Sequence, residues 1–139
     1  MVILAVDLGK ARTGLAVCDK SELLASPLGM IEDRNLDRVA EKVCEYVKER
    51  KAELIVVGLP KNMDGTEGES AQNARAFAKK LEELCGVPTV MQDERGTTIT
   101  AHSFLNTTDT RGKKRKKVVD TVAATIILED YLNYRKNNK

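Results

Sequence analysis

The apolar residues of this chain change period just past residue 31, and that change dictates a sheet with helices packed on it. Val2 to Val6 is a continuous apolar run ending at Asp7, the pattern of a strand buried on both faces. Thr13 to Cys18 (TGLAVC) is a second short strand, reached through a glycine-containing turn over Leu8–Arg12. Leu23 to Ile31 makes a third, interrupted by Pro27, which demands a sheet edge or a bulge. The three are close enough in sequence to form an antiparallel meander. Then the spacing becomes helical: Leu36, Val39, Ala40, Val43 and Val47 recur on one face, with Asn35 as N-cap. Leu54–Gly58 is a buried strand. Ala71, Ala74, Phe77, Ala78, Leu81 and Leu84 mark a second amphipathic helix, ended by Gly86 and Pro88. Val87–Gln92 is a fifth strand. Thr97 or Thr98 caps a short helix through about Leu105, and a long helix runs from near Lys114 or Val118 to about Tyr134. Strands alternating with helices imply parallel additions to a sheet that begins antiparallel.

A chain of 139 residues, 42% hydrophobic, suits one domain over 1–139 with one real core. It holds no apolar run of 18 residues or more, so no membrane helix is expected. The N-terminal apolar run lacks a basic start and a small-residue cleavage site, so it reads as a core strand, and a cytoplasmic location is expected. Cys18, Cys44 and Cys85 are odd in number and widely spaced, and are expected as buried or half-buried thiols. His102 is the only histidine and has no ligand partner at metal spacing, which leaves a zinc site unsupported.

The net charge of +2 hides an asymmetry: residues 1–94 balance to −4 and residues 95–139 to +6. The excess centres on RGKKRKK at 111–117, six positive residues in seven. A patch of this kind points to a polyanion. It lies near the start of a helix, where positive charge opposes the dipole, so local stability does not explain it and backbone phosphates do. Few aromatics argue against base stacking as the main recognition mode.

Three acids stand out by position. Asp7 and Glu94 each directly follow an apolar strand, and Asp120 lies in the otherwise apolar VVDTVAATIIL. A carboxylate on an apolar face costs several kcal/mol unless compensated. One or two divalent cations would compensate all three, and an all-oxygen set suits Mg²⁺ or Mn²⁺. Each acid also has an ordinary reading. Asp7 is a strand-end turn residue, Glu94 pairs with Arg95 or Arg75, Asp120 caps a helix that starts there, and Asp93 is the inward-facing acid in place of Glu94.

Four segments in order, DLGKARTGLAV (7–17), GLPKNMDGTEG (58–68), DERGTT (93–98) and DTVAATIIL (120–128), resemble the YqgF-type family of bacterial proteins, described as Holliday junction resolvases and pre-16S rRNA nucleases. The match spans almost the whole chain. The resemblance implies an α/β fold of RNase H type: a five-stranded mixed sheet of order 3-2-1-4-5 flanked by helices. It maps the family's acidic positions onto Asp7, Glu94 and Asp120. One departure is visible. Gly96 stands where family members usually carry leucine, which should loosen the start of the following helix but leaves the three acids in place.

The expected activity is metal-dependent hydrolysis of phosphodiester bonds, in maturation of the 5′ end of pre-16S rRNA. Cutting four-way DNA junctions in recombination and repair is the first alternative. Two metal ions roughly 4 Å apart would activate water, neutralise charge and hold the leaving group. Asp7 is the choice for a bridging ligand, with Glu94 and Asp120 on either side. Arg12, Lys61, Asn62, Arg95, Lys113, Lys114, Arg115, Lys116 and Lys117 are the expected nucleic-acid contacts. The loop carrying Lys61 and Asn62 follows a parallel strand, where ligand sites of such sheets lie. No G-x-S-x-G or Cys–His arrangement suggests a covalent nucleophile. A non-catalytic nucleic-acid-binding module is the second alternative. A phosphate loop of actin-like ATPases is a third reading of DLGKARTG, weakened because those proteins bind nucleotide between two such domains. The expected partner is pre-rRNA or branched DNA, with no membrane, for a monomer or weak homodimer.

Overall fold

The central strand β1 (Ile3–Asp7) is buried over its first four residues because its neighbours cover both edges and helices cover both faces. The computed structural model describes residues 1–60, 64, 66–93 and 112–137, with side chains from Val122 onward in the last stretch. The elements after β1 are β2 (Arg12–Cys18), β3 (Ala25–Glu32), α1 (Leu36–Arg50), β4 (Leu54–Leu59), α2 (Glu69–Cys85), β5 (Thr89–Asp93) and α3 (Gly112–Asn137). The five strands form one sheet in the order β3-β2-β1-β4-β5. β2 pairs antiparallel with both β1 and β3, while β4 joins β1, and β5 joins β4, in parallel. The mixed sheet and its order are those expected. The expected helix from Thr97 or Thr98 lies outside the described residues.

Local chemistry accounts for the element ends. The Asn35 side chain accepts from the backbone N–H groups of Asp37 and Arg38, capping α1. Gly86 adopts φ +73 at the end of α2, a left-handed conformation that glycine takes without penalty. Pro27 lies in the edge strand β3, beside a register shift between Leu15 and Ala16, so it removes no ladder hydrogen bond from the sheet interior.

Two apolar layers form. On one face Leu4, Val6, Leu15, Ile55, Val57 and Leu59 pack against α1 and α2, through Val39, Val43, Phe77 and Leu81 among others. On the other, Ile3, Ala5, Ala16, Leu54 and Val56 pack against Ala124, Ile127, Leu128, Tyr131 and Leu132 of α3. Residues 3–6 of β1 and 54–57 of β4 are all apolar and buried, because neither face of the sheet meets water there.

Two expectations are corrected. Cys44 and Cys85 are a disulfide joining α1 to α2, with Cα atoms 5.3 Å apart. They are 41 residues apart in sequence, and only the packing of the two helices makes them neighbours. Cys18 is a buried free thiol, as expected. And α3 starts at Gly112, so Asp120 lies two turns inside it and is not its N-cap.

Candidate active site

Asp7 is the last residue of the middle strand, at the end where the parallel strands finish. Side-chain direction alternates along a strand, so Asp7 shares the face of Ile3 and Ala5, which is the face covered by α3. Its Cα partner on β2 is Gly14. On its other side the register Ala5 to Val56 and Val6 to Val57, continued by one residue, sets Gly58 level with Asp7. Neither of these two neighbours carries a side chain beside the half-buried Asp7.

Beyond Gly58 the row reaches Gln92, its partner on β5. Gln92 shares the face of Val90, which packs against the α3 layer. The sequence did not single out Gln92, because its place level with Gly58 follows only from the β4–β5 register. Its neighbour Asp93 shares the face of Met91, which packs against the α1–α2 layer. Asp93 and Asp7 therefore point to opposite faces of the sheet. Glu94 and Arg95 lie outside the described residues.

Arg12 opens β2 and alternates with Gly14 and Ala16, so it is on the same face as Asp7. The turn between them is tightly made. A Cβ on Gly9 would overlap the carbonyl oxygen of Arg12, so only glycine fits. The same turn is tied to the end of β3 by the Asp33 N–H donating to the Ala11 carbonyl at 3.0 Å. Arg38 holds Asp33 in turn through two hydrogen bonds of 2.8 and 3.0 Å, and this guanidinium keeps the Asp33 carboxyl well below the usual carboxylate range.

The β4–α2 connection leaves the sheet at the same end as Asp7. Lys61 and Asn62 lie outside the described residues. Asp64 makes a local turn: its Oδ1 accepts from the Thr66 N–H at 2.9 Å and the Thr66 hydroxyl at 2.7 Å. Arg75 grips Glu67 through bonds of 2.7 and 2.9 Å, fastening the loop to α2. Arg75 is thus engaged at the loop.

α3 runs antiparallel to β1. Its far end is fixed by Arg135, which binds Glu22, and Glu22 also accepts from the N-terminal ammonium of Met1. Its first two turns, which hold the backbone of residues 113–117, therefore lie toward the end of the sheet where β1 finishes. The side chains of Lys113, Lys114, Arg115, Lys116, Lys117 and Asp120 lie outside the described residues. Among the described residues no three His, Cys, Asp or Glu side chains gather to hold a metal.

A family model described as "RuvX: Holliday junction resolvase" matches residues 1–134. The chain belongs to the RuvX family. A RuvX relative from Caldanaerobacter subterraneus subsp. tengcongensis is 40% identical over 139 residues, covering 99% of this chain and all of the relative. Another from Nitrosospira multiformis is 39% identical over 132 residues, covering 95% of this chain and 87% of the relative. Both are named "Putative pre-16S rRNA nuclease". Among solved structures, Thermus thermophilus RuvC superposes with TM-score 0.60 at 16% identity, over 99% of this chain and 97% of that one. The fowlpox virus Holliday junction resolvase gives 0.57 at 11% identity, over 96% and 99%. At these identities the likeness establishes the fold alone, an RNase H-like α/β fold.

Proposed function

We propose that this RuvX-family chain is a metal-dependent nuclease hydrolysing phosphodiester bonds in nucleic acid, with Asp7 as its central carboxylate. The position of Asp7 carries the reading: it ends the central strand, faces α3 and has glycine on one side and, by register, on the other. Glu94 is the second carboxylate of the proposal. Asp93 faces the α1–α2 layer, which leaves Glu94 as the acid of that pair available to join Asp7. Asp120 is the third. Its backbone belongs to α3, and it precedes Ala124, Ile127, Leu128 and Tyr131 at one-face helical spacing. The α3 rise from Arg135 back to Asp120 is about 22 Å. The strand rise from Met1 to Asp7 is about 20 Å. The agreement of the two lengths supports a shared level for Asp120 and Asp7.

Asp7 suits Mg²⁺ or Mn²⁺ by its chemistry, since it offers a hard oxygen. The free thiol on its face, Cys18, is bonded at the opposite end of β1, to the Ile3 N–H. A divalent cation, when bound, would supply neutralising charge and a bound water more acidic than bulk water. The chain's own part is to hold the cation through the carboxylates of Asp7, Glu94 and Asp120. Arg12, Lys61, Asn62, Arg95 and residues 113–117 hold the phosphates in line.

The substrate we assign is pre-16S rRNA in the cytoplasm, following the names of relatives that match nearly the whole chain. A four-way DNA junction is the second reading, favoured by the description of the family model. A monomer or weak homodimer serves the first, whereas symmetric junction cutting requires a two-fold dimer. The test incubates the chain and its Asp7→Asn variant with Mg²⁺ or Mn²⁺ and either precursor small-subunit rRNA or a synthetic junction. Metal-dependent cleavage of the rRNA, reduced by roughly a hundredfold or more in the variant, is the expected result. Full activity of Asp7→Asn removes the site, and cleavage of the junction alone moves the substrate to branched DNA. Salt-dependent binding with no cleavage of either leaves a binding module.

A further inference from the structure

The sheet separates the chain's three cysteines into two groups that cannot exchange partners. Cys44, in the middle of α1, and Cys85, the last residue of α2, are bonded to each other on one face. Cys18 sits among the α3-facing residues of the other face. Its sulfur accepts from the Ile3 N–H at 3.3 Å and its thiol donates to the Met1 carbonyl at 3.6 Å. Burial also pushes the Cys18 thiol up, and thiolate is the attacking form, so Cys18 is a poor competitor. One pairing is therefore open to the folded chain.

The two bonded sulfurs are unequally reachable. Cys44 is 7% exposed and flanked in α1 by Val43 and Val47, both in the core. Cys85 is half-buried at the helix end, where Gly86 turns the chain away. We propose that the Cys44–Cys85 pair is a reversible thiol–disulfide exchange site, taking a low-molecular-weight thiol at Cys85, whose state sets the stability of the α1–α2 layer and leaves the Asp7 face unchanged. In the reducing direction a thiolate RS⁻ attacks Cys85 Sγ. The Cys–Cys bond breaks, the electron pair leaves on Cys44 Sγ, and that sulfur takes a proton from water. A second RS⁻ attacks the outer sulfur of the Cys85–S–S–R adduct. R–S–S–R forms, and Cys85 leaves as a thiolate and is protonated. The reverse uses R–S–S–R as oxidant and returns two RSH.

The structural effect follows from the loop that the bond closes. It spans 41 residues and contains the second half of α1, all of β4 and all but the last residue of α2. Opening it frees the unfolded chain, while the folded layer keeps its apolar contacts and the Lys80–Asp37 ion pair between the same helices. Asp7 faces α3, across the sheet, so the exchange does not reach it. The inference does not depend on the nuclease reading.

The test uses the whole chain purified without reductant. Thiol titration after unfolding should find one free thiol, and three after reduction, of the three cysteines in the sequence. Three thiols without reduction overturn the proposal, and this measurement needs no variant. Limited treatment with glutathione followed by peptide mass analysis should find the adduct on Cys85, and an adduct on Cys44 overturns the assigned point of attack. Reduction should lower Tm by about 10 °C. The double variant Cys44→Ser, Cys85→Ser should show no response to reductant, and an equal fall in the variant overturns the claim that this bond is responsible. Nucleic-acid binding should be the same in the oxidised and reduced chain at 20–25 °C, and a severalfold change would overturn the claim that the Asp7 face is untouched.

Discussion

Arg135 donates from Nε and Nη2 to the two carboxylate oxygens of Glu22, at 2.6 and 3.3 Å, across 113 residues of sequence. The Met1 ammonium reaches the same carboxylate at 2.9 Å. Three segments meet in this contact: the start of the chain, the β2–β3 turn and the end of α3. It fixes which way α3 lies on the sheet, and so which end of α3 approaches Asp7. Glu22 adopts φ +59, a conformation that costs a non-glycine residue, and the two cations compensate it.

Glu22→Gln should destabilise the fold with a definite pH dependence. The Arg135 hydrogen bonds, with help from the N-terminal ammonium, hold the Glu22 carboxyl at about 2, below its ordinary 4.5. A depressed carboxylate stabilises fully above its unfolded pKa, and the contribution fades as pH falls through the folded value. The variant should lose about 1–2 kcal/mol at pH 7, after allowance for solvent screening. Thermal unfolding at pH 7 and at steps from pH 5 to 2 checks this: the gap to wild type should narrow across that window. A gap that stays constant would show that charge is not the cause.

Gly9→Ala should lower both stability and activity. Its Cβ would overlap the Arg12 carbonyl oxygen, a backbone atom that moves only if the turn opens. A cost of about 2 kcal/mol or more is expected, with displacement of the Asp7–Arg12 turn. Gly68→Ser is the control. Gly68 has open space around it and precedes α2 as N-cap, so serine should be neutral or slightly stabilising. The denaturant midpoint should fall for Gly9→Ala and hold or rise for Gly68→Ser.

Asp93→Asn and Glu94→Gln should differ sharply although the residues are neighbours. Asp93 shares the Met91 face, turned away from Asp7. Its variant should keep cleavage within roughly threefold, while Glu94→Gln should lose a hundredfold or more. Initial rates on the same precursor rRNA decide it, and the reverse outcome would hand the second ligand to Asp93.

Replacing Lys113, Lys114, Lys116 and Lys117 with alanine should weaken binding without changing sequence preference. Each lost phosphate contact should reduce the log–log salt slope by roughly 0.9 on duplex DNA and 0.7 on single strands. Affinity measured against salt for rRNA and junction DNA tests this, and an unchanged slope on both would make the run a solvated surface.

The sequence by itself determined the five strands, helices α1, α2 and α3, the Asn35 cap and the need of Pro27 for an edge or a bulge. These are local: a five-residue apolar run or a helical stripe carries its own period, and a cap needs only the next three residues. Asp7 was legible for the same reason, as the first polar residue after a fully apolar strand. What only the tertiary structure decided are relationships between distant residues. The face of Asp93 depends on which side of β5 meets α2 and which meets α3, and two adjacent acids in sequence carry no sign of it. The Gly14–Asp7–Gly58–Gln92 row exists only once four strands are in register. The Cys44–Cys85 bond needs α1 and α2 side by side, and three scattered cysteines read as thiols until those helices pack. Alternation and spacing fix a residue's direction relative to its own element. The element's direction relative to the others is set by the packing of both layers against one sheet.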